Sequence, residues 1–388
     1  MFTLKWLDEI ANDAGAALER LNSRVLEALG RRIALAAKGS GFDRFSTLSG
    51  ADREAEDLLR EILRELGKAT NTVEEIYSTA AKIVYQDANK YYAAKGLTQI
   101  PIEYQRGIVN FVKGVAATTR GTFTNLSNTS AIGFRVMGLD GRVYYRGFKE
   151  HYHDLIDQAI TEIATGQKSY TSAFRSALTQ TADSGIRVLD YESGYSRRLD
   201  SAIRQNVIDG VKDIAHEIAR QTGEEFGADG VEIDAHNLCA PDHLPYQGRQ
   251  FTKAAFEQIQ EELPRPFGFW NCRHTYYPVV LGVSPSLYTD AERQAMIANS
   301  TEVREFEGKE YTAYEATQLQ RRIETEMRKS KDRAILAKAA GDDLTRKVEQ
   351  LRLNQLRDKY ILLSKQFGLP LALDRARVSG FRAVKILN

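Results

Sequence analysis

The sequence predicts an α+β protein that is predominantly α-helical. Only eight prolines occur in 388 residues, apolar residues recur at helical steps through several long segments, and strand-like stretches are short. The hydrophobic content of 43% is enough for real cores, and the length suits two or three domains. We expect a helical N-terminal region (1–120), a linker and helical connector (121–185), a small α+β core (186–300), and a C-terminal helical hairpin with a basic tail (301–388).

Helical segments are predicted along the chain from their apolar periodicity. The clearest covers about 196–221, where Leu199, Ile203, Val207, Val211, Ile214 and Ile218 follow helical steps. The other predicted helices cover 4–38, 51–66, two segments of 71–120 separated near Gly96 and Pro101, 148–165, 170–181, 289–299, 312–340 and 342–367. Gly67 and Gly341 are interpreted as helix stops. Gly210 predicts a close contact, because glycine inside a helix costs about 1 kcal/mol relative to alanine.

Short strands are predicted at 143–145, 230–236 and 275–281, with a small strand or hairpin at 303–311. Pro278 would place its strand at the edge of a sheet, because proline lacks the N–H that a central strand needs. Residues 121–135 are rich in Thr, Ser, Asn and Gly and are predicted to form a loop.

The C-terminal hairpin combines an apolar stripe with a basic composition. Its second helix carries the stripe Leu344, Val348, Leu351, Leu356, Tyr360 and Leu363. From Arg321 to the end, 17 Lys and Arg face 8 Asp and Glu, a net charge of +9. We expect most of this charge on a solvated face, and contact of residues 321–385 with an acidic partner surface or with DNA phosphates is the alternative.

The whole-chain totals exclude several classes of protein. A net charge of +1 provides no global field that would drive the molecule onto nucleic acid or a membrane. Two cysteines argue against a disulfide-built secreted scaffold. We see no signal peptide and no apolar run of the ~18 residues that a spanning helix needs. We therefore expect a soluble protein made in the cytoplasm.

A dense polar cluster lies in the second half of the chain. It runs from His236 to Gly248 and resumes from Phe269 to His274. Both cysteines of the chain and three of its six histidines fall in these two stretches. The cluster is therefore a site or the signature of a particular fold.

Three chemical interpretations of the cluster stay open beside a structural one. Cys239, His243, Cys272 and His274 could hold a structural zinc ion, although Cys272 and His274 are closer in sequence than zinc-finger ligands usually are. A metal-dependent nuclease or hydrolase would use His243, Asn271 and His274. A Cys272 thiolate with a histidine base would be a nucleophile.

The structural interpretation needs no ligand. Short loops rich in Asn, Asp, His and Gln lock turns through their own hydrogen bonds, with Phe269 and Trp270 as core anchors. A Cys239–Cys272 disulfide is a further option in an extracellular setting, and it is not expected in the cytosol.

The same residues carry a family resemblance. The pattern His236-x-x-Cys-Ala-Pro-Asp-His243-x-x-x-Gln247-Gly248, followed by Trp270-Asn271-Cys272-Arg273-His274, resembles the phage minor capsid protein type 2 family, which is related to the Mu F-like head morphogenesis proteins. Segments 189–207 and 311–322 also fit, and the likeness is best over about 150–340. One position departs: His274 stands where related proteins often have cysteine.

The resemblance implies a non-enzymatic structural protein of a tailed bacteriophage. Such a protein would lie in the virion, at the portal vertex or in the capsid interior, and would act in head assembly, with packaging or ejection as further roles. The implied partners are the portal protein and the major capsid protein. No cofactor is implied, and the residues alone leave zinc open.

Overall fold

The computed structural model describes residues 4–38, 44–127, 131–138, 140–164, 181–189, 195–269 and 272–384. Its helices are α1 Leu4–Lys38, α2 Arg44–Ala94, α3 Arg106–Leu126, α4 Phe148–Ala164, α5 Leu199–Glu225, α6 Lys253–Glu262, α7 Asp290–Thr301, α8 Ala313–Ala340 and α9 Asp343–Phe367. The strands are β1 Ile132–Met137, β2 Val143–Gly147, β3 Arg187–Leu189, β4 Ser196–Arg198, β5 Gly230–Ile233, β6 Gln250–Thr252, β7 Tyr276–Val279, β8 Val303–Phe306 and β9 Lys309–Thr312. The predicted helix-dominated α+β class is confirmed.

The chain forms two compact units, each built from separated stretches. The first unit contains 1–14, 71–121 and 204–319, and the second contains 15–70, 122–203 and 320–388. The first unit holds the sheet β6-β5-β7 and the hairpin β8-β9, and the second holds the sheet β2-β1-β3-β4. All strand pairs in these sheets are antiparallel.

The helix stop predicted at Gly67 is wrong, because α2 runs through it for 51 residues. Gly67 has no positive φ and no atom within 4 Å of an added Cβ, so nothing at this position turns the chain. Buried Ile62, Leu66, Val73 and Tyr77 keep the apolar stripe in phase on both sides of the glycine. The break near Gly96 is confirmed, since this residue lies two positions after the end of α2 and has a φ of +66°.

The loop predicted at 121–135 is also wrong in part. Helix α3 continues to Leu126, where buried Phe123 anchors its last turn, and β1 begins at Ile132. Buried Ile132, Phe134 and Val136 alternate along β1, which lies between β2 and β3. This apolar alternation outweighs the polar composition around it. Residues 170–180 of the helix predicted at 170–181 lie outside the described residues. The described residues 181–184 are helical.

The short strands and the C-terminal hairpin agree with their predictions. Strand β7 carries Pro278 at the edge of the sheet β6-β5-β7. Gly341, with a φ of +75°, separates α8 from α9, and Asp342 caps α9 by accepting the Thr345 N–H at 2.9 Å. No helix in the described ranges combines the length and apolarity needed to cross a membrane.

The stripe on α9 faces in two directions. Tyr360 and Leu363 are buried as expected, but Leu344, Val348 and Leu351 are 63%, 51% and 48% exposed. The buried face of this half of the helix is mostly polar instead: Thr345, Glu349 and Gln350 line it, together with Leu353.

A buried polar network of the second unit explains this inversion. Glu349 accepts a hydrogen bond from Ser330 Oγ at 2.9 Å and lies 3.6 Å from Arg333, which also donates to both carboxylate oxygens of Asp183. Breaking a buried charge network is costly, so these polar contacts decide which face of α9 packs inward.

Candidate metal centre

The sheet β6-β5-β7 brings the two halves of the polar cluster together. Strands β5 and β7 are antiparallel, with Ile233 opposite Tyr276. The last residue of β5 and the first residue of β7 therefore lie at the same end of the sheet. His236 follows β5 and His274 precedes β7 by two residues. Two loops that are far apart in sequence therefore meet at one place.

Hydrogen bonds at this end of the sheet hold the loop that follows β5 and the loop that precedes β7. Asp234 N–H donates to the Thr275 carbonyl at 2.9 Å, and Asp234 Oδ1 accepts the Thr275 N–H at 2.8 Å. The loop returns to β6 through Gly248, which has a φ of +67° and donates to the Ile233 carbonyl at 2.8 Å. Ile233, Phe256, Phe267 and Cys272 form the apolar core beneath the loops.

Three of the four predicted ligand residues converge. The Nδ1 atoms of His243 and His274 are 3.3 Å apart, and Cys272 Sγ lies 3.5 Å from the first and 3.4 Å from the second. All three residues are buried, and their ligand atoms lie within 4.8 Å of one another.

Cys239, the fourth predicted ligand, lies on the other side of the His274 ring. Its Sγ is 3.5 Å from His274 Nε2, and it donates to the Ala240 carbonyl at 3.3 Å. Its backbone N–H donates to Ser300 Oγ of α7 at 3.1 Å. Both cysteines are free thiols, and each is buried.

Fixed polar groups orient the two imidazole rings. His243 Nε2 donates to the Arg265 carbonyl at 2.7 Å, and His274 Nε2 lies 3.3 Å from Gln247 Oε1. The backbone N–H of His236 donates to the same Gln247 oxygen at 3.2 Å. This hydrogen bond fixes the orientation of the Gln247 amide. The ring of Phe267 packs 4.2 Å from the ring of His243, between centroids.

A buried lysine supports the turn that carries Cys272. Lys212 of α5 donates a hydrogen bond from Nζ to the Cys272 carbonyl. Burial lowers the pKa of Lys212. The sequence prediction gave no role to Lys212, to Gln247 or to the Arg265 carbonyl. The available signal for Lys212 was its position directly after Val211 on the strongly periodic helix α5.

Burial keeps the three converging groups in uncharged forms. It lowers the pKa of His274 to about 2 and also lowers the pKa of His243, because charged imidazolium is poorly solvated there. Burial raises the pKa of the Cys272 thiol and raises that of Cys239 to about 12. Neutral imidazoles are the form that binds metals, and a metal ion would deprotonate an adjacent thiol.

The remaining interpretations fare differently. Asn271, the third residue of the nuclease alternative, and Trp270, the predicted core anchor, lie outside the described residues. Cys272 Sγ lies 3.5 Å from His243 Nδ1, within reach of a base, but the pair is enclosed by apolar packing. The loops also hold many internal hydrogen bonds, as the structural interpretation requires.

Fold and site together define a mainly helical protein whose first unit contains a small, buried Cys/His cluster. The sequence model of one family, phage minor capsid protein 2, matches residues 19–361. The chain belongs to that family, a family of bacteriophage virion proteins, as the resemblance predicted. Comparison with curated proteins and with solved structures gave no significant match.

Proposed function

We propose that this protein is a structural component of the phage head, bound at the portal vertex or on the capsid interior and acting in head assembly. The match to the phage minor capsid protein family over residues 19–361 carries the proposal. The family assignment also favours a non-enzymatic role. The portal protein and the major capsid protein are the partners we propose.

A candidate contact surface for these partners lies on α9. We call Leu344, Val348 and Leu351 the α9 stripe. These residues are four and three positions apart, so they share one face of the helix, and all three are exposed. Exposed apolar patches of this kind mark interaction surfaces, because water is a poor environment for them.

The α9 stripe is suited to a contact between helices. Its spacing is that of the apolar face of an amphipathic helix that packs into a groove. Leu362 lies on the same face and is also exposed. The buried polar network around Glu349 holds this face outward in the free protein. We propose that the portal protein covers the stripe in the assembled head.

Co-assembly tests this proposal directly. The chain is co-expressed with the portal and major capsid proteins of the phage that encodes it, and the assembled particles are purified. We expect the unaltered chain in the particles, and Leu351→Glu to reduce its incorporation at least about tenfold, since a charge buried at an interface costs more than 1.4 kcal/mol.

Asn354→Glu is the matched control, because it adds the same charge at an exposed position on the flank of the same helix. Both substitutions should leave the thermal unfolding midpoint of the isolated chain almost unchanged, as surface substitutions usually do. Equal incorporation of the Leu351→Glu and unaltered chains would exclude the α9 stripe as the contact. Absence of the unaltered chain from the particles would contradict the head-assembly role.

The hydrolase alternative has its own test. A metal-dependent nuclease should nick plasmid DNA when Mg²⁺, Mn²⁺ or Zn²⁺ is added, and the activity should disappear in His243→Ala. We expect no His243-dependent nicking. Such nicking would replace the structural role with an enzymatic one.

A further inference from the structure

Each ring of the His243–His274 pair has one nitrogen bound to a group that can only accept. A backbone carbonyl has no proton to donate, so His243 Nε2, 2.7 Å from the Arg265 carbonyl, must carry the hydrogen. Gln247 Oε1 already accepts a hydrogen bond from the backbone N–H of His236, so this atom is the oxygen of the amide. His274 Nε2, 3.3 Å from this oxygen, is therefore also the protonated nitrogen.

This tautomer assignment leaves two bare nitrogen atoms facing each other. In a neutral imidazole only one nitrogen is protonated, so the Nδ1 atoms of His243 and His274 both present lone pairs, across 3.3 Å. The Cys272 thiol is the nearby donor, and it has one proton for two acceptors. A buried acceptor left unpaired is destabilising, because it has lost its hydrogen bonds to water. A shared cation would satisfy all three atoms at once.

The distances among the three atoms match the edges of a zinc tetrahedron. Zinc bonds of about 2.05 Å to nitrogen and about 2.3 Å to sulfur, at tetrahedral angles, place two nitrogens about 3.4 Å apart and nitrogen and sulfur about 3.6 Å apart. The structure has 3.3 Å between the nitrogens, and 3.5 Å and 3.4 Å from sulfur to nitrogen.

We propose that His243 Nδ1, Cys272 Sγ and His274 Nδ1 bind a structural Zn²⁺ ion, with a small ligand such as water in the fourth position. Two imidazoles and a thiolate suit zinc better than Mg²⁺ or Ca²⁺, which prefer oxygen. Binding releases the thiol proton of Cys272 to solvent. The Arg265 carbonyl and Gln247 orient the rings from outside, as the second shell of a zinc site does.

Cys239 is not a ligand in this proposal. Its sulfur faces His274 Nε2, the nitrogen opposite the metal-facing Nδ1, so one His274 ring cannot present the same nitrogen to both sulfurs. The Cys239 thiol instead donates to the Ala240 carbonyl. The two cysteines therefore form a matched pair for experiment, because both are buried thiols of one cluster and only one is assigned to the metal.

Metal content of the full-length protein is the first test. After purification without a metal-affinity tag and dialysis against metal-free buffer, elemental analysis should find about one zinc ion per chain. Cys272→Ala and His243→Ala should lose it. Cys239→Ala should keep about one zinc ion, since loss of an outer contact typically weakens metal affinity about 10–100-fold without abolishing it.

The unaltered chain supplies a second test that does not depend on how the variants fold. A strong chelator should lower its thermal unfolding midpoint, and Zn²⁺, but not Mg²⁺, should restore it. Cobalt substitution should give a thiolate-to-metal absorption band that survives in Cys239→Ala. Unaltered protein that contains no zinc and does not respond to zinc or chelator would overturn the site. Loss of zinc from Cys239→Ala to the same degree as from Cys272→Ala would overturn the three-residue ligand set.

Discussion

At the scale of single residues, the cluster shows which part of a site can be predicted from sequence. The sequence alone indicated Cys239, His243, Cys272 and His274 as candidate metal ligands, because rare, reactive side chains are concentrated in two short stretches. It could not separate the two cysteines. Their difference depends on which nitrogen of His274 each one faces, and the antiparallel pairing of β5 with β7 decides this.

The same limit applies to the supporting groups. Lys212 reaches the Cys272 carbonyl from 60 positions earlier in the chain, and the carbonyl that orients His243 belongs to Arg265, 22 positions later. No local pattern connects such positions. They are found only once the helix α5 and the loops are placed in space.

A buried histidine in the second unit predicts a specific pH dependence. Burial, with a smaller contribution from Arg146, lowers the pKa of His151 to about 3, whereas an unfolded chain has an ordinary value near 6.5. As the pH falls through 6.5, the unfolded chain gains a proton that the folded chain cannot take up. His151 therefore does not lower the free energy of unfolding above pH 6.5. From pH 6.5 toward pH 3 it lowers this free energy, by up to about 1.4 kcal/mol per pH unit.

His151→Gln tests this dependence through a slope. The free energy of unfolding, measured by urea titration at several values between pH 6.5 and pH 5, should fall less steeply in the variant, by about 0.7 kcal/mol per pH unit near pH 6.5 and by about 1.3 kcal/mol per pH unit near pH 5. Any loss of the contacts with Thr181 and the Phe134 ring lowers stability at every pH and does not alter the slope. Equal slopes in the two proteins would show that His151 is not held neutral.

At the scale of elements, periodicity was a better guide than single stop residues. Gly341 and Gly96 end helices because the backbone takes a positive φ there, and Gly67 does not. The residue is glycine at all three positions. What differs is whether the apolar stripe continues in phase beyond the glycine, as it does from Leu66 to Val73.

Two helical glycines with opposite surroundings give a paired prediction. A Cβ at Gly210 would lie 2.1 Å from the Tyr77 hydroxyl, which is buried and bonded to Thr119 at 2.9 Å and to the Asn206 carbonyl at 3.1 Å. A Cβ at Gly67 would meet nothing within 4 Å. Overpacking typically costs about 1–3 kcal/mol, whereas alanine in an open helical position gains about 0.5–1 kcal/mol.

We therefore expect Gly210→Ala to lower the free energy of unfolding and Gly67→Ala to raise it, as measured by denaturant titration. The close contact at Gly210 was predicted from the cost of glycine inside a strong helix, and the structure confirms it. Stabilisation by Gly210→Ala would mean that Tyr77 is not fixed by its two hydrogen bonds. Destabilisation by Gly67→Ala would argue against a continuous α2.

The direction of the α9 stripe could not be predicted from its spacing. Leu344, Val348 and Leu351 follow the pattern of a packing face, and their neighbours Thr345 and Glu349 are polar. The structure buries the polar side because Glu349 meets Ser330 and Arg333, contacts that link residues far apart in sequence. An apolar stripe predicts a contact, and within the described part of the chain these three residues are exposed, as the partner contact that we propose requires.

At the scale of the whole molecule, composition narrowed the class of protein and family membership defined it. The basic C-terminal segment suggested DNA as a partner, yet several of its charges pair within the fold. Arg352 and Lys329 contact Glu326 at 3.0 Å and 2.7 Å, and Arg333 contacts Asp183. DNA binding through 321–385 stays a prediction, whose test is a salt-dependent association with duplex DNA.

The central claim is that this chain is a structural part of the phage head. The most direct measurement is quantitative mass spectrometry of purified particles of the phage that encodes it, compared before and after DNA release and protease treatment. We predict that the chain is present in a fixed ratio to the portal protein and is protected from protease in intact particles; its loss on DNA release would identify a protein ejected with the genome. Absence of the chain from purified particles, with abundant chain in the infected-cell extract, would contradict the claim.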